Sequence, residues 1–234
     1  MTRVVAHRGL HVRERENTVA AFKAALAAGV DGVELDVRAT RDGALVVHHD
    51  PAAEGREIVE SLAGELPAHV ASLAEALVAC GDLEVNVELK MDAYGPEDPR
   101  RAPFVESVVA QVETLGVAAR VSYSSFDAPA CGALARCQAT SPVGLLLDWH
   151  DDVEAAIEGA LAMGCHALHP YYATVNERVL GSVHGAGLAL NVWTPSARDD
   201  LARMLLWGVD AVITDDPVLA MTLRGLNSGS APMA

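Results

Sequence analysis

Two carboxylates separated by a single residue mark the segment of this chain that is best suited to chemistry. Glu34 and Asp36 interrupt the apolar stretch Val33–Val37. On a β-strand, residues i and i+2 point to the same face, so these two side chains lie side by side. Carboxylates this close repel each other unless a cation or a proton lies between them. The spacing predicts a metal site, with charge balance by nearby basic side chains as the alternative interpretation.

The return arm of a predicted hairpin brings a histidine close to these carboxylates. The pair Asp42-Gly43 separates the first apolar stretch from a second and is typical of a β-hairpin turn. With these two residues at the tip, the antiparallel ladder sets His49 opposite Asp36. Imidazole titrates near neutral pH, so a histidine at this position can accept or donate a proton. The segment therefore combines a predicted metal site with an acid–base group.

The composition limits the kinds of partner. The chain has 234 residues, of which 51% are hydrophobic, and a formal net charge of −15 at pH 7. That charge disfavours nucleic acids and anionic membranes, so we expect a small-molecule ligand. No apolar run approaches the ~18 residues needed to span a bilayer, and no signal peptide is recognisable. The four cysteines lack paired spacing, and we expect them to be reduced in a cytoplasmic protein. The oligomeric state stays open.

Apolar runs alternate with Ala- and Leu-rich segments along the whole chain. Nine runs are typical of strands, and most segments between them end in a glycine suited to a helix C-terminus. One run is the return arm of the hairpin, which leaves eight parallel units and predicts a closed (β/α)8 barrel. We expect one domain over residues 1–226 and a disordered tail over 227–234. The predicted strands are Val4–His7, Val33–Val37, Leu45–His48, Val85–Leu89, Val121–Ser124, Val143–Leu147, His166–His169, Leu188–Trp193 and Ala211–Thr214. The predicted helices are Asn17–Ala28, Ser72–Ala79, Pro103–Leu115, Asp151–Met163, Asn176–His184 and Ser196–Trp207.

Polar or ionisable groups lie at the end of almost every predicted strand. In a parallel barrel, catalytic groups gather at the carboxyl ends of the strands. The regularity over eight strands predicts an active site at that end. The groups are, in chain order, His7-Arg8, Glu34 and Asp36, Glu88 and Lys90, Ser124-Ser125, Asp148, His169, Trp193-Thr194 and Asp215.

A series of short motifs in a fixed order resembles the glycerophosphodiester phosphodiesterase family. The motifs extend from Val4 to about Pro217 and comprise AHRG (6–9), ENT (16–18), GVELDVRATRDGALVVHHD (32–50), NVELK (86–90), SSF (124–126), NVWT (191–194) and ITDDP (213–217). The resemblance implies a (β/α)8 barrel, in agreement with the strand count. It also implies a metal-dependent hydrolase that cleaves glycerophosphodiesters to glycerol 3-phosphate and an alcohol.

The resemblance also implies roles for individual residues. By position, Glu34, Asp36 and Glu88 ligate one divalent cation. Such an all-oxygen ligand set suits Mg²⁺ or Ca²⁺, with Mn²⁺ as a further candidate. His7 and His49 match the family's two catalytic histidines, which together supply an acid and a base. The sequence does not indicate which histidine is which.

Four further residues match positions around the family's substrate. Arg8 and Lys90 are implied to contact the phosphate, the first as a bidentate clamp and the second as a point charge. Glu16 lies at a helix start, where Asn17 can cap the helix. We interpret Glu16 as a hydrogen-bond partner behind the site, with a metal contact or a plain first-turn acid as alternatives. Trp193 is implied to lie at the mouth against substrate carbons, with a structural role as the alternative.

The sequence departs from the family pattern near the substrate. After His49, the family's Arg-Thr-Thr triplet is missing and the insertion that follows the hairpin strand is short. Arg15 replaces the proline that usually precedes ENT. These departures favour the general phosphodiesterase chemistry over any particular head group. Two alternatives stay open: the same barrel and metal site acting on another phosphodiester or a lysophospholipid, and a non-catalytic barrel that binds a metal or an anion.

Overall fold

A closed ring of parallel strands forms the centre of the molecule. The structure is a computed structural model and describes residues 1–137 and 140–228. Its strands are β1 (Arg3–Ala6), β2 (Gly32–Ala39), β3 (Leu45–Val47), β4 (Ala52–Ala53), β5 (Arg56–Glu57), β6 (Glu84–Leu89), β7 (Val121–Ser125), β8 (Val143–Leu147), β9 (Ala167–Pro170), β10 (Ala189–Trp193) and β11 (Ala211–Thr214). Strand β1 pairs in parallel with both β2 and β11, which closes a barrel of β1, β2 and β6 to β11. The predicted (β/α)8 barrel is confirmed.

Helices cover the outside of the barrel. They are α1 (Val19–Ala28), α2 (Leu73–Ala79), α3 (Arg101–Thr114), α4 (Ala128–Arg136), α5 (Val153–Met163), α6 (Glu177–Gly185), α7 (Arg198–Trp207) and α8 (Pro217–Ser228). Helices α4 and α8 were not among the predicted helices. Each begins after a capping aspartate: Asp127 accepts a hydrogen bond from the Ala130 amide, and Asp216 accepts one from the Leu219 amide.

The start of α1 differs from its prediction. Thr18 is the capping residue, since its hydroxyl accepts a hydrogen bond from the Ala21 amide at 3.3 Å. Asn17 does not cap the helix. It has a positive φ of 56°, and its side chain reaches into the barrel mouth instead. Gly9 also has a positive φ of 83°, and a Cβ there would lie 2.9 Å from Ala21, so only glycine fits between this loop and α1.

Strand alternation decides which side chains point into the barrel. In β2, the apolar residues Val33, Leu35 and Val37 are fully buried in the main hydrophobic core between strands and helices. Glu34 and Asp36 therefore point to the opposite side, into the barrel. Strand β6 repeats the pattern, because Val85, Val87 and Leu89 belong to the same core and Asn86 and Glu88 alternate with them. The parallel register sets Asp36 directly beside Glu88.

The hairpin differs from its prediction by one residue. Thr40 and Ala44 close the turn, so the loop contains three residues and Gly43 takes a positive φ of 79°. The register pairs Arg38 with Val46, and the amide of His48, not of His49, donates to Asp36 O at 3.0 Å. The predicted pairing of His49 with Asp36 is therefore wrong. A three-residue loop that ends in a left-handed glycine is a common alternative to the two-residue turn.

The segment that follows the hairpin folds back onto it. Strands β4 and β5 form a small hairpin, followed by single 3-10 turns at Ile58–Glu60 and Ala63–Glu65. Ile58 is 1% exposed and packs against Val46 and Ala53. This segment is thus anchored to the face of β3 opposite Leu45 and Val47, which belong to the main core.

The carboxyl end of the described chain is helical. Asn227 and Ser228, the first residues of the predicted tail, form the end of α8, and residues 229–234 lie outside the described part of the chain. Among the described residues, no helix has the length and apolar character required to cross a membrane.

Candidate active site

Three carboxylates meet inside the mouth of the barrel. Oxygen atoms of Glu34, Asp36 and Glu88 all lie within 4.8 Å of one another. The residues are 3%, 1% and 8% exposed. Their side chains come from adjacent parallel strands, β2 and β6, and point inward because the apolar residues between them point outward. Burial and mutual repulsion both oppose three negative charges at one place.

The pKa values of the three carboxyls are shifted by burial and by the neighbouring charges. Burial, together with the charges of Asp36 and Glu88, raises the pKa of Glu34 well above its usual range. Burial and the charge of Asp36 raise the pKa of Glu88 to about 7. Burial also raises the pKa of Asp36, but Lys90 and Arg8 outweigh it, so the pKa of Asp36 is lowered. Asp36 is therefore the carboxyl of the three that most readily carries a negative charge.

The cluster fits a divalent cation. Oε1 of Glu34 is buried and has no hydrogen-bond partner, which leaves a lone pair free for a ligand. The donor set consists of carboxylate oxygens alone, which Mg²⁺ and Ca²⁺ prefer. A cation among the three oxygens would remove the repulsion that raises the pKa values of Glu34 and Glu88.

Two basic side chains border the carboxylates. Lys90 Nζ lies 3.0 Å from Asp36 Oδ1 and 2.6 Å from Glu88 Oε1. Arg8 Nε lies 3.4 Å from Asp36 Oδ2, and the Arg8 backbone amide donates to Glu34 Oε2 at 3.0 Å. The predicted phosphate-binding residues are thus also the counter-ions of the acidic cluster. Both line the same cavity, where a phosphate could contact them.

Glu16 and Asn17 support these groups from behind. Glu16 Oε1 accepts a hydrogen bond from Arg8 Nη1 at 2.9 Å and does not belong to the carboxylate cluster. Asn17 Nδ2 donates to Asp36 Oδ2 at 2.7 Å, and Asn17 Oδ1 accepts from the Asp36 amide. Sequence reasoning missed this role of Asn17, although its place in the ENT motif beside Glu16 was a signal for it.

His7 is held by a carboxylate from the other end of the chain. Nδ1 of His7 lies 2.7 Å from Asp215 Oδ1, and Nε2 lies 4.0 Å from Glu34 Oε2. Asp215 also contacts His11 Nε2 at 3.3 Å, and these two histidines lower its pKa. Because Asp215 engages Nδ1, the other ring nitrogen of His7 faces the acidic cluster. Sequence analysis placed Asp215 at the mouth but assigned it no role, and it did not consider His11.

His49 lines the same cavity as His7 and also contacts a carboxylate through Nδ1. Its Nδ1 lies 2.8 Å from Asp50 Oδ1. Burial and the charge of Lys90 lower the pKa of His49. The buried Arg38 fixes the backbone of this loop, because its guanidinium donates to the carbonyls of His48 and His49. Arg38 keeps His49 at the mouth even though the register differs from the prediction.

Aromatic rings form one wall of the mouth. The ring centroids of Phe126 and Tyr171 lie 5.6 Å and 5.4 Å from that of Trp193. Trp193 Nε1 donates to the carbonyl of His169 at 2.9 Å. The indole is therefore fixed by a hydrogen bond and still lines the cavity that His7 and Arg8 line. Trp193 thus lies at the mouth with a structural hydrogen bond, and its contact with substrate carbons stays a prediction.

His169 does not lie at the mouth with the other strand-end groups. It is 3% exposed inside the barrel, where its Nε2 lies 2.9 Å from Asn191 Nδ2, and burial lowers its pKa to about 3. It lines a small cavity with Arg3 and Glu84, which begin their strands. The placement of His169 among the mouth residues was wrong, since its side chain points into the lower barrel.

Two neighbouring cavities open at the mouth. The first, called here the catalytic cavity, has a volume of about 280 Å³ and is lined by His7, Arg8, Glu34, Trp193 and Ile213, among others. The second, called here the outer cavity, measures about 460 Å³. They share four residues at their junction: His49, Glu88, Lys90 and Phe126. The site can thus hold a substrate with two arms, one on each side of the junction.

Comparisons with known proteins connect the chain to one family. Residues 7–65 and 53–219 match the model of the Glycerophosphoryl diester phosphodiesterase family. The chain is 31% identical to a glycerophosphodiester phosphodiesterase of Caldanaerobacter subterraneus subsp. tengcongensis, over 95% of this chain and 97% of that protein. The structure of a glycerophosphodiester phosphodiesterase from Parabacteroides distasonis matches with a TM-score of 0.83 and 25% identity, covering 97% and 98% of the two chains.

A further solved structure shares the fold at lower identity. It is an Oleispira antarctica phosphodiesterase in complex with the product sn-glycerol-3-phosphate, with a TM-score of 0.84, 20% identity and coverage of 96% and 97%. The family match spans most of the chain, and the first relative is similar over nearly its whole length. The chain therefore belongs to the glycerophosphoryl diester phosphodiesterase family and is a phosphoric diester hydrolase.

Proposed function

We propose that the protein hydrolyses glycerophosphodiesters to glycerol 3-phosphate and an alcohol, with a divalent cation held by Glu34, Asp36 and Glu88. One observation carries the proposal: the three buried carboxylates, with an unpartnered oxygen on Glu34, lie at a cavity that two histidines line, and each histidine contacts a further carboxylate. The product found in the Oleispira relative supports the glycerol assignment. Mg²⁺ and Ca²⁺ are the expected cations, with Mn²⁺ as a further candidate.

The chain's own residues provide binding and proton transfer. When bound, the cation would act as a Lewis acid on a phosphate oxygen and lower the pKa of an attacking hydroxyl. Arg8 and Lys90 contribute positive charge to the phosphate at the junction of the two cavities. In His7 and His49 the Nδ1 atoms are engaged by Asp215 and Asp50, which leaves the Nε2 atoms for proton transfer.

The two histidines then serve as a complementary acid–base pair. One accepts the proton of a glycerol hydroxyl as its oxygen attacks phosphorus, and the other protonates the departing alcohol as the P–O bond breaks. This route gives a cyclic phosphate in its first step. Water then attacks phosphorus with the two proton transfers reversed, and the ring opens to glycerol 3-phosphate. The sum of both steps consumes one water for each diester cleaved. In the alternative route, which a diester without a glycerol hydroxyl must take, water attacks phosphorus directly.

Hydrolysis of glycerophosphocholine tests the proposal. We expect release of glycerol 3-phosphate that stops in EDTA and returns with Mg²⁺, Ca²⁺ or Mn²⁺. Glu34→Gln should lose most of the activity, whereas His184→Ala, an exposed histidine far from the mouth, should keep it. Full activity of the wild-type protein in EDTA would overturn the metal assignment. Hydrolysis of bis(p-nitrophenyl) phosphate without any release of glycerol 3-phosphate would overturn the glycerol assignment and retain the general phosphodiesterase chemistry.

A further inference from the structure

A second group of side chains with metal-binding atoms lies beside the carboxylate cluster. It consists of His7 Nδ1, His11 Nε2 and a carboxylate oxygen of Asp215, which all lie within 4.8 Å of one another. Both ring nitrogens face the same oxygen, Asp215 Oδ1, at 2.7 Å and 3.3 Å. Without a metal, these contacts are two hydrogen bonds to one carboxylate. The same arrangement allows a metal ion to take the place of the two shared protons.

The loop between β1 and α1 fixes the two histidines before any ligand binds. Arg8 and Gly9 both have positive φ angles, 54° and 83°, so the chain turns between His7 and His11. The amide of the next residue, Leu10, donates to a carbonyl of α1 at 3.0 Å and ties the loop to that helix. Ligands that are fixed in advance lose little conformational freedom when a metal binds.

The distances suit a tetrahedral ion with bonds of about 2.0–2.1 Å. In such a site, neighbouring ligand atoms lie roughly 3.3 Å apart. His11 Nε2 already has this separation from Asp215 Oδ1, and His7 Nδ1 has to move outward by roughly 0.6 Å. The Asp215 side chain is 46% exposed, which leaves an open side for water as the fourth ligand. Three protein ligands and one water are a common zinc coordination.

The ligand set differs in kind from that of the carboxylate cluster. Two imidazole nitrogens and one carboxylate suit Zn²⁺ and the other late first-row cations, whereas three carboxylates suit Mg²⁺ or Ca²⁺. The nearby guanidinium of Arg8 is paired with Glu16 at 2.9 Å, so its positive charge is partly balanced. The two groups of ligands therefore select different cations at adjacent places.

We propose that His7, His11 and Asp215 form an inhibitory site for Zn²⁺. A metal on Nδ1 leaves the single proton of the neutral His7 ring on Nε2, so Nε2 has no lone pair with which to accept a proton. Loss of that proton would leave a metal-bound imidazolate, which is an unfavourable anion, so the ring is blocked as an acid as well. The site itself is independent of the proposed function, but its inhibitory effect rests on that function because it acts through His7.

Equilibrium dialysis of Zn²⁺ at pH 8 in excess Mg²⁺ tests the site without reference to activity. The wild-type protein should bind Zn²⁺ tightly. His11→Gln removes one ligand and keeps a side chain that can donate to Asp215, and it should weaken this binding about 10-fold or more. Glu88→Gln, which alters the carboxylate cluster, should keep a site of wild-type affinity. His184→Gln is the matched control, because His184 is an exposed histidine far from the mouth.

Hydrolysis of glycerophosphocholine in excess Mg²⁺ tests the consequence. Zn²⁺ should inhibit the wild-type protein, additional Mg²⁺ should not relieve the inhibition, and His11→Gln should need about 10-fold more Zn²⁺ for half-inhibition. His184→Gln should respond as the wild-type protein does.

Wild-type zinc affinity in His11→Gln, with binding lost in Glu88→Gln, would place the zinc in the carboxylate cluster and overturn the site. Zinc binding that depends on His11 but leaves hydrolysis unchanged would overturn the inhibitory role. Absence of glycerophosphocholine hydrolysis in zinc-free buffer, with zinc binding that depends on His11, would instead overturn the proposed function and support the zinc site.

Discussion

Replacing Glu88 by glutamine tests whether repulsion among the three buried carboxylates destabilises the metal-free protein. The substitution keeps the size of the side chain and an oxygen that Lys90 can still contact, but it removes one of three buried charges. It also removes a charge that helps to raise the pKa of Glu34. We therefore expect Glu88→Gln to stabilise the metal-free protein at pH 8, which is unusual for a substitution at a buried position.

The magnitude follows from the pKa of Glu88. Burial and Asp36 raise it from 4.5 to about 7 in the folded protein. A carboxyl whose pKa is raised on folding does not lower the free energy of unfolding below its unfolded pKa. It lowers that free energy by the full amount above its folded pKa. Metal-free wild-type protein should therefore lose stability as the pH rises from about 4.5 to 7, by roughly 3 kcal/mol at 1.36 kcal/mol per pKa unit. Glu88→Gln should recover roughly 2–3 kcal/mol of this, which corresponds to roughly 5–10 °C in Tm.

Thermal unfolding in EDTA at pH 8 and pH 5 measures the effect. The variant should exceed the wild-type Tm at pH 8, and the difference should shrink at pH 5. Glu84→Gln is the control on the same strand, because Glu84 is exposed and pairs with Arg3 at the surface, where ion pairs contribute about 0–1 kcal/mol. Cation at a hundredfold excess over its Kd should stabilise the wild-type protein by about 2.7 kcal/mol and the variant by much less.

The opposite order of stability would refute this reasoning. If Glu88→Gln melts below the wild-type protein in EDTA at pH 8, then Lys90 and Arg8 already neutralise the cluster. The cluster would then have no excess negative charge for a cation to balance. An equal response of both proteins to added cation would remove Glu88 from the ligand set.

Two further predictions concern the histidines. Asp215→Asn should lower kcat about 10- to 100-fold with little change in KM, because His7 loses the carboxylate that orients its ring; steady-state kinetics measure this, and an unchanged kcat would show that the 2.7 Å contact does not position the ring. The leaving group of bis(p-nitrophenyl) phosphate departs without protonation, so its hydrolysis does not need a general acid. Of the variants His7→Ala and His49→Ala, the one that lacks the general acid should therefore keep much more activity with this diester than with glycerophosphocholine. Equal losses with both diesters for both variants would contradict a division of acid and base between the two histidines.

The inward direction of the acidic cluster could be predicted from the sequence because it depends on a local rule. Alternation along a strand has a period of two, so outward-facing Val33, Leu35 and Val37 leave only one direction for Glu34 and Asp36. The count of apolar runs predicted the barrel for the same reason: each run needs a buried place, and eight parallel runs bury one another by closing into a ring. Helix α4 escaped prediction because it is short and contains Pro129 and Gly132, both poor helix formers.

The register of the hairpin could not be predicted from the local sequence alone. The pair Asp42-Gly43 is compatible with a two-residue turn and with a three-residue loop, and the two differ by one residue in register. His49 still reaches the mouth, because Arg38 binds the carbonyl groups of its loop. That interaction joins two strands through a buried guanidinium, and no pattern in the sequence indicates it.

The sequence by itself determined the barrel, the direction of the acidic side chains and the set of candidate groups at the strand ends. These features follow from periodicity and from short motifs, which act over a few residues. Only the tertiary structure decided which groups meet. His7 and Asp215 are 208 residues apart and come into contact because β1 pairs with β11 when the barrel closes. His169, which also lies at a strand end, is directed into the lower barrel instead, since the space around each side chain depends on the neighbouring strands rather than on its own.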